Sequence, residues 1–257
     1  MIPEGFRSFA EILEEHEAEE VVSTGVEHLD SILHGGGLMR GCVYELVGEA
    51  AKGKSQLCFQ ICVNATKNRH RRRVLYVDTE GSFRTKRIVQ IAKDRDPQAN
   101  EASILASIRL CRVMDAIELT SALGQAVALA RADPEIGLVV LDSVAFPIRV
   151  EHECERRKML TIHVAQELMK FAIDLNCVVV VANQVTMEVN RGGTLPALGS
   201  TWAHHITVRF YMAHNPKQGS KAIKIAKSPF DASWNVYYNI TNRGIESFKR
   251  DCDPVVR

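Results

Sequence analysis

The sequence predicts an α/β domain: a mostly parallel sheet flanked by helices, followed by antiparallel strands toward the C-terminus. Three observations predict it. Short continuous apolar runs alternate with longer amphipathic segments between Val43 and Asn183, the pattern of parallel strands covered on both faces. After Asn183 that alternation gives way to strand-like runs alone. The turn from the first strand into the first long helix is Gly48-Glu49-Ala50-Ala51-Lys52-Gly53-Lys54-Ser55. This is a phosphate-binding loop (P-loop) in the strand–helix setting the motif needs.

The elements follow in order. Phe9–Glu20 reads as a short amphipathic helix, with Phe9, Ile12 and Leu13 on one side. Thr24–Leu33 holds a second short helical piece, ended by Gly35-Gly36-Gly37. Val43–Val47 is a strand and Lys54–Lys67 a helix. Val74–Asp78 is a strand and Thr85–Asp94 a helix. Ser107–Val113 is a strand and Ala116–Arg131 a helix. Leu138–Asp142 is a strand, Glu155–Leu175 a helix and Val178–Asn183 a strand. Ile206–Ala213, Ala222–Ala226 and Val236–Ile240 read as antiparallel strands extending the sheet. With 257 residues, the chain suits one domain over 22–257, led by a linker and short helix over 1–21.

Composition narrows the function classes. Net charge is +1, so nucleic-acid contact must come from local basic clusters. The densest is Lys67-Asn68-Arg69-His70-Arg71-Arg72-Arg73, readable as a solvated loop, a phosphate contact or a nuclear-import signal. Seven cysteines without a Cys-x-x-Cys spacing suit free thiols in a reducing compartment. No signal peptide is recognisable, and no apolar run approaches the roughly 20 residues of a membrane span. An intracellular protein outside the membrane is therefore expected. His204-His205 lack metal-ligand spacing with other candidates, and Trp202 and Trp234 read as packing residues.

The P-loop carries the sharpest chemistry. Its glycines let backbone N–H groups curl around phosphates. Lys54 reaches the β/γ-phosphate oxygens, and Ser55 offers its hydroxyl to Mg²⁺. Leu138–Asp142 is an apolar strand ending in Asp142, the carboxylate expected to orient Mg²⁺ downstream of a P-loop. Between them, the strand ending at Asp78 delivers Glu80 to the sheet edge where nucleotides sit, as a candidate general base for water. Asn183-Gln184 puts two amides at the next strand tip, where they serve either as turn residues or as a γ-phosphate sensor.

Together with the P-loop, Asp78-Thr79-Glu80-Gly81-Ser82-Phe83, Asp142-Ser143-Val144-Ala145, Asn183-Gln184-Val185 and Pro196-Ala197-Leu198-Gly199-x-x-Trp202 resemble the ATPase core of the RecA/RadA recombinases. The resemblance runs from about Val22 to Ser247. Ala145-Phe146-Pro147-Ile148-Arg149 and Pro196-Ala197-Leu198-Gly199 make it most similar to the eukaryotic recombinase paralogues, nearest the C-type.

The resemblance implies a RecA-type P-loop ATPase core. ATP and Mg²⁺ would be held by Gly48 through Gln56, with Asp142 as a further Mg²⁺ ligand. Lys54, Glu80 and Gln184 would be catalytic, and Arg87 would stack on adenine. The family's first DNA-binding loop would fall at Arg149–Lys158, including Arg156 and Arg157. The second would fall at Val185–Gly199, including Arg191.

It further implies a nuclear protein of homologous recombination with weak DNA-dependent ATPase activity. Its partners would be single-stranded DNA or replication and recombination intermediates, the recombinase filament, and another recombinase paralogue. A structural adaptor with incidental turnover and another RecA-fold DNA motor are the alternative readings. This chain departs from the family pattern in three places. The family's N-terminal helical DNA-binding domain is expected to be missing, since Met1 falls almost at its linker. Phe6-Arg7-Ser8-Phe9 stands where the family's docking motif is Phe-x-x-Ala, so self-polymerisation is not expected. The first loop is short and interleaves Glu151, Glu153 and Glu155 with its basic residues.

Overall fold

A computed structural model describes residues 21–187, 193–215 and 220–248. The expected helix at Phe9–Glu20, the Phe6–Phe9 motif and Arg191 lie outside them.

After a short helix α1 (Glu27–Ile32), the chain runs β1 (Val43–Val47), α2 (Lys54–Ala65), β2 (Arg73–Asp78), α3 (Thr85–Arg95), α4 (Glu101–Ser107) and β3 (Ile108–Arg112). It continues with α5 (Ala116–Ala132), β4 (Ile136–Asp142), α6 (Ala145–Arg149), α7 (Cys154–Met169) and β5 (Val178–Asn183). A hairpin follows, β6 (Val185–Met187) with β7 (Thr194–Pro196), and then α8 (Gly199–His204). β8 (Val208–Asn215), β9 (Ser220–Lys227), β10 (Asn235–Thr241) and β11 (Gly244–Ser247) complete the described chain.

The main sheet has the order β11-β10-β9-β8-β1-β5-β4-β2-β3. Strands β3, β2, β4, β5, β1 and β8 run parallel, and β9 to β11 are antiparallel. The Ile206–Ala213 run is thus the pivot: its strand pairs parallel to β1 and antiparallel to β9.

Alternation along the central strands explains the layers. Val74, Tyr76, Leu138, Val140, Val178 and Val180 pack on the face covered by α2 and α3. Leu75, Val77, Val139, Leu141, Val179 and Val181 pack on the opposite face, under α5 and α7. In α5, Leu119, Leu123, Val127 and Ala130 form one buried stripe. Asp115 caps that helix by accepting from the N–H groups of Ile117 and Glu118, both at 2.8 Å.

Short elements the sequence reading did not give include α6, α8 and β11, and three further differences stand out. α4 precedes β3, and its Asn100 cap accepts from Ser103 N at 3.1 Å. The long predicted helix ends at Met169, and Lys170–Asp174 continue it as a π-turn. The second loop holds the β6–β7 hairpin.

The basic run Lys67–Arg73 enters the sheet at the N-terminal end of β2, opposite the P-loop. There Arg71 donates to the carbonyls of Leu175 (2.7 Å) and Asn176 (2.9 Å). Arg73 pairs with Asp133 at 2.6 Å and Arg72 lies 4.0 Å from Glu135. Much of that run is committed to the fold.

Candidate nucleotide site and adjoining groove

Register aligns the C-terminal ends of the parallel strands: Val47 faces Asn183, Asp142 faces Ala182, and Asp78 faces Asp142. Ligands of open α/β sheets bind beyond such ends. The P-loop leaves β1 there. A side-chain carbon at Gly48 would press into the Met212 carbonyl, and Gly53 adopts a left-handed φ of 101°. Tyr238 on β10 donates its hydroxyl to the Lys52 carbonyl and ties the loop to the antiparallel part of the sheet.

Lys54 donates to the carbonyls of Gly48 (2.8 Å) and Glu49 (2.9 Å). Burial lowers the pKa of its ammonium, while the charges of Asp142 and Glu80 act to raise it. Burial raises the pKa of Asp142, against hydrogen bonds from Ser55 and Tyr76 that favour the carboxylate. The Tyr76 bond is 2.8 Å. A half-buried ammonium beside two carboxylates, with a hydroxyl on one of them, is the donor set that a triphosphate and an oxygen-ligated Mg²⁺ require. The residues present fit ATP–Mg²⁺.

Glu80 is placed by the turn after β2. The Asp78 carboxylate accepts from Ser82 N (3.0 Å) and Phe83 N (3.1 Å), which fixes that turn. Glu80 Oε1 then accepts from Ser143 Oγ at 2.6 Å and from Gln184 Nε2 at 2.8 Å. Arg149 at the end of α6 donates to Gln184 Oε1 at 3.0 Å. Arg87 donates to Gln56 (2.7 Å), Gln90 (2.6 Å) and the carbonyls of Thr241 (2.6 Å) and Asn242 (2.9 Å), so its guanidinium is held rigidly beside the β10–β11 turn.

Between α7 and the second loop lies a groove of about 450 Å³, lined in part by Arg149, Arg157 and Lys158. Arg156 is turned away from it. It pairs with Glu153 at 3.1 Å and lines a neighbouring apolar recess with Met159 and His163.

The structure therefore gathers Lys54, Ser55, Asp142, Glu80 and Gln184 at one edge, with Arg149 attached to them. It leaves Arg156 apart. Sequence reasoning did not single out Glu45. This fully buried acid accepts from Asn183 Nδ2 and Trp202 Nε1, both at 2.7 Å, and pairs with Arg209. Asn183 also donates to the Ala197 carbonyl at 3.0 Å, so Glu45 anchors the root of the second loop. An acid inside the apolar run Val43–Val47 was the available signal. Ser143 was also missed as a partner of Glu80. Among the described residues, no three His, Cys, Asp or Glu side chains converge on a metal site.

Fold and site together define a RecA-type P-loop core. The Rad51 family model matches residues 17–248. The chain is 30% identical over 262 residues to meiotic recombination protein DMC1 homolog A of Oryza sativa subsp. japonica, spanning 97% of this chain and 75% of that protein. It is 28% identical to DNA repair protein RAD51 homolog B of Zea mays, spanning 97% and 76% respectively. The crystal structure of the RadB recombinase superposes with a TM-score of 0.76 at 29% identity, covering 89% of this chain and all of that one. The chain belongs to the Rad51 family.

Proposed function

We propose that this chain binds ATP–Mg²⁺ at the P-loop and serves homologous recombination and repair in the nucleus as a recombinase paralogue. Its task is to assist the assembly or stability of a recombinase filament on single-stranded DNA. The observation that carries the reading is the convergence of Lys54, Asp142 and Glu80 on one sheet edge, where the charges of Asp142 and Glu80 act on Lys54 and that of Glu80 acts on Asp142.

In this reading Lys54 holds the phosphates, and Ser55 and Asp142 hold the metal. The loop from Gly48 to Gln56 wraps the nucleotide, and Arg87 faces the adenine end. Bound Mg²⁺ supplies charge neutralisation for phosphoryl transfer. Glu80 takes the proton of the attacking water, and Gln184 senses the γ-phosphate. Turnover is weak and depends on DNA. Arg149, Arg157 and Lys158 in the groove take DNA phosphates, joined by Arg191 of the second loop.

A protein partner is supported by strand β3, which ends the sheet and, among the described residues, has no strand paired on its outer side. Beside it Leu110, Met114 and Ile117 are exposed, the last two by 75% and 79%. A groove of about 750 Å³ runs there between β3 and α5. Another recombinase paralogue is the proposed occupant. This edge also favours a second reading, a structural adaptor in which turnover is incidental.

Both readings are tested by adding the purified protein to recombinase filaments on single-stranded DNA and following filament lifetime. Longer lifetimes that require Lys54 support the proposal. No effect on filaments in the presence of ATP contradicts it. Full activity in Glu80→Gln assigns the adaptor reading.

A further inference from the structure

We infer that Arg149 is the residue through which DNA in the groove controls Glu80, and that it acts by holding the Gln184 amide in place. This inference rests on the nucleotide-site reading above. A carboxylate only accepts and a guanidinium only donates, whereas an amide does both. Gln184 bridges the two, with Oε1 toward Arg149 (3.0 Å) and Nε2 toward Glu80 (2.8 Å). The reversed amide would set donor against donor at Arg149 and acceptor against acceptor at Glu80. Arg149 therefore fixes which end of Gln184 faces the base.

The two bonds on Glu80 Oε1 differ in kind. Ser143, the first donor, is buried and locked: its N–H donates to Thr79 Oγ1 (2.8 Å), and its carbonyl accepts from the same hydroxyl (2.7 Å). Gln184, the second donor, is held in an exposed bridge, and its anchor Arg149 also lines the cationic groove. One restraint is built into the fold and the other is adjustable. With both in place, Oε1 carries two hydrogen bonds and the carboxylate is pinned in one orientation; without the Gln184 bond it can turn either oxygen toward a water.

A DNA phosphate in the groove competes for Arg149 with a neutral amide oxygen, and charge-assisted bonds are the stronger. Once Arg149 turns to phosphate, Gln184 loses its anchor and Glu80 is freed. A plain phosphate contact would show only in DNA affinity. A positioning residue shows in the absence of DNA.

The test is single-turnover ATP hydrolysis by wild type, Arg149→Ala and Arg149→Lys, each with and without an oligothymidylate strand. Arg149 is exposed, and equal thermal melting of the three proteins verifies the fold. The expected result is a DNA-free rate in Arg149→Ala raised roughly tenfold to a hundredfold, the change that loss of one hydrogen bond on a charged group produces. ATP affinity should be unchanged, and the oligonucleotide should add little. Arg149→Lys keeps a cationic donor and should restore the low DNA-free rate. A DNA-free rate in Arg149→Ala at or below wild type overturns the inference. So does a raised rate that DNA still stimulates in full. Failure of the nucleotide-site reading is a separate result: ATP-analogue affinity that ignores Lys54.

Discussion

At the scale of single residues, position on the sheet edge separates chemistry from binding. Glu80 touches neighbouring side chains and no P-loop backbone group in the hydrogen bonds described here. Glu80→Gln should therefore leave ATP-analogue affinity intact and lower hydrolysis by roughly 10²–10⁴-fold, the usual contribution of a positioned base. Single-turnover hydrolysis measures this; an unchanged rate would mean the water is activated elsewhere. Glu45 is the opposite case, an acid that serves the fold around the site. Glu45→Ala strands the half-hidden Arg209 guanidinium and frees Asn183 and Trp202 from their shared acceptor. Breaking such a pair from one side costs about 3–5 kcal/mol, so thermal melting should fall by many degrees. The phosphate residues were legible in the sequence because their spacing is short and fixed. Glu45 was not, because Asn183 and Arg209 stand 138 and 164 positions away, and only the folded sheet brings them together.

Among elements, β2, β4 and β5 could be read directly, since each is an apolar run with a polar residue at its tip, Asp78, Asp142 and Asn183. α4 escaped because Glu101–Ser107 is short and carries two serines, so the following strand seemed to begin at Ser107. The β6–β7 hairpin escaped because three-residue strands are too short to show alternation. β11 escaped because it is four residues long and follows the tight turn at Asn242-Arg243. The basic run before β2 divides by role. Arg71 ties two carbonyls at the entrance to β5, so Arg71→Ala should lower the melting temperature by removing both bonds. Arg72 is 60% exposed with a 4.0 Å partner, so Arg72→Ala should barely shift it. Equal melting of the two variants would show that the run is not anchored as described. In the P-loop, Gly48→Ala drives a methyl group into the Met212 carbonyl. It should destabilise the protein by about 1–3 kcal/mol, measurable by denaturant unfolding.

For the whole molecule, a net charge of +1 means that DNA affinity rests on the groove rather than on a long-range field. Neutralising three phosphates with Arg149, Arg157 and Lys158 gives a slope of log affinity against log salt near −2, at about −0.7 per phosphate of a single strand. Titration of an oligothymidylate at several salt concentrations checks it; a slope near zero would remove the phosphate reading of the groove. Phe9, in place of a small docking residue, adds the expectation that the pure protein forms no regular filaments on single-stranded DNA, as seen by electron microscopy. Every part of this account depends on one consequence of the topology: strands distant in sequence deliver Lys54, Asp142 and Glu80 to a common edge to hold a nucleotide. Binding of a fluorescent ATP analogue in the presence of Mg²⁺, compared between wild type and Lys54→Ala, tests that most directly. The account predicts measurable affinity in the wild type and a loss of well over tenfold in the variant, as removal of a half-buried charged partner entails. Equal affinity of the two proteins would contradict it.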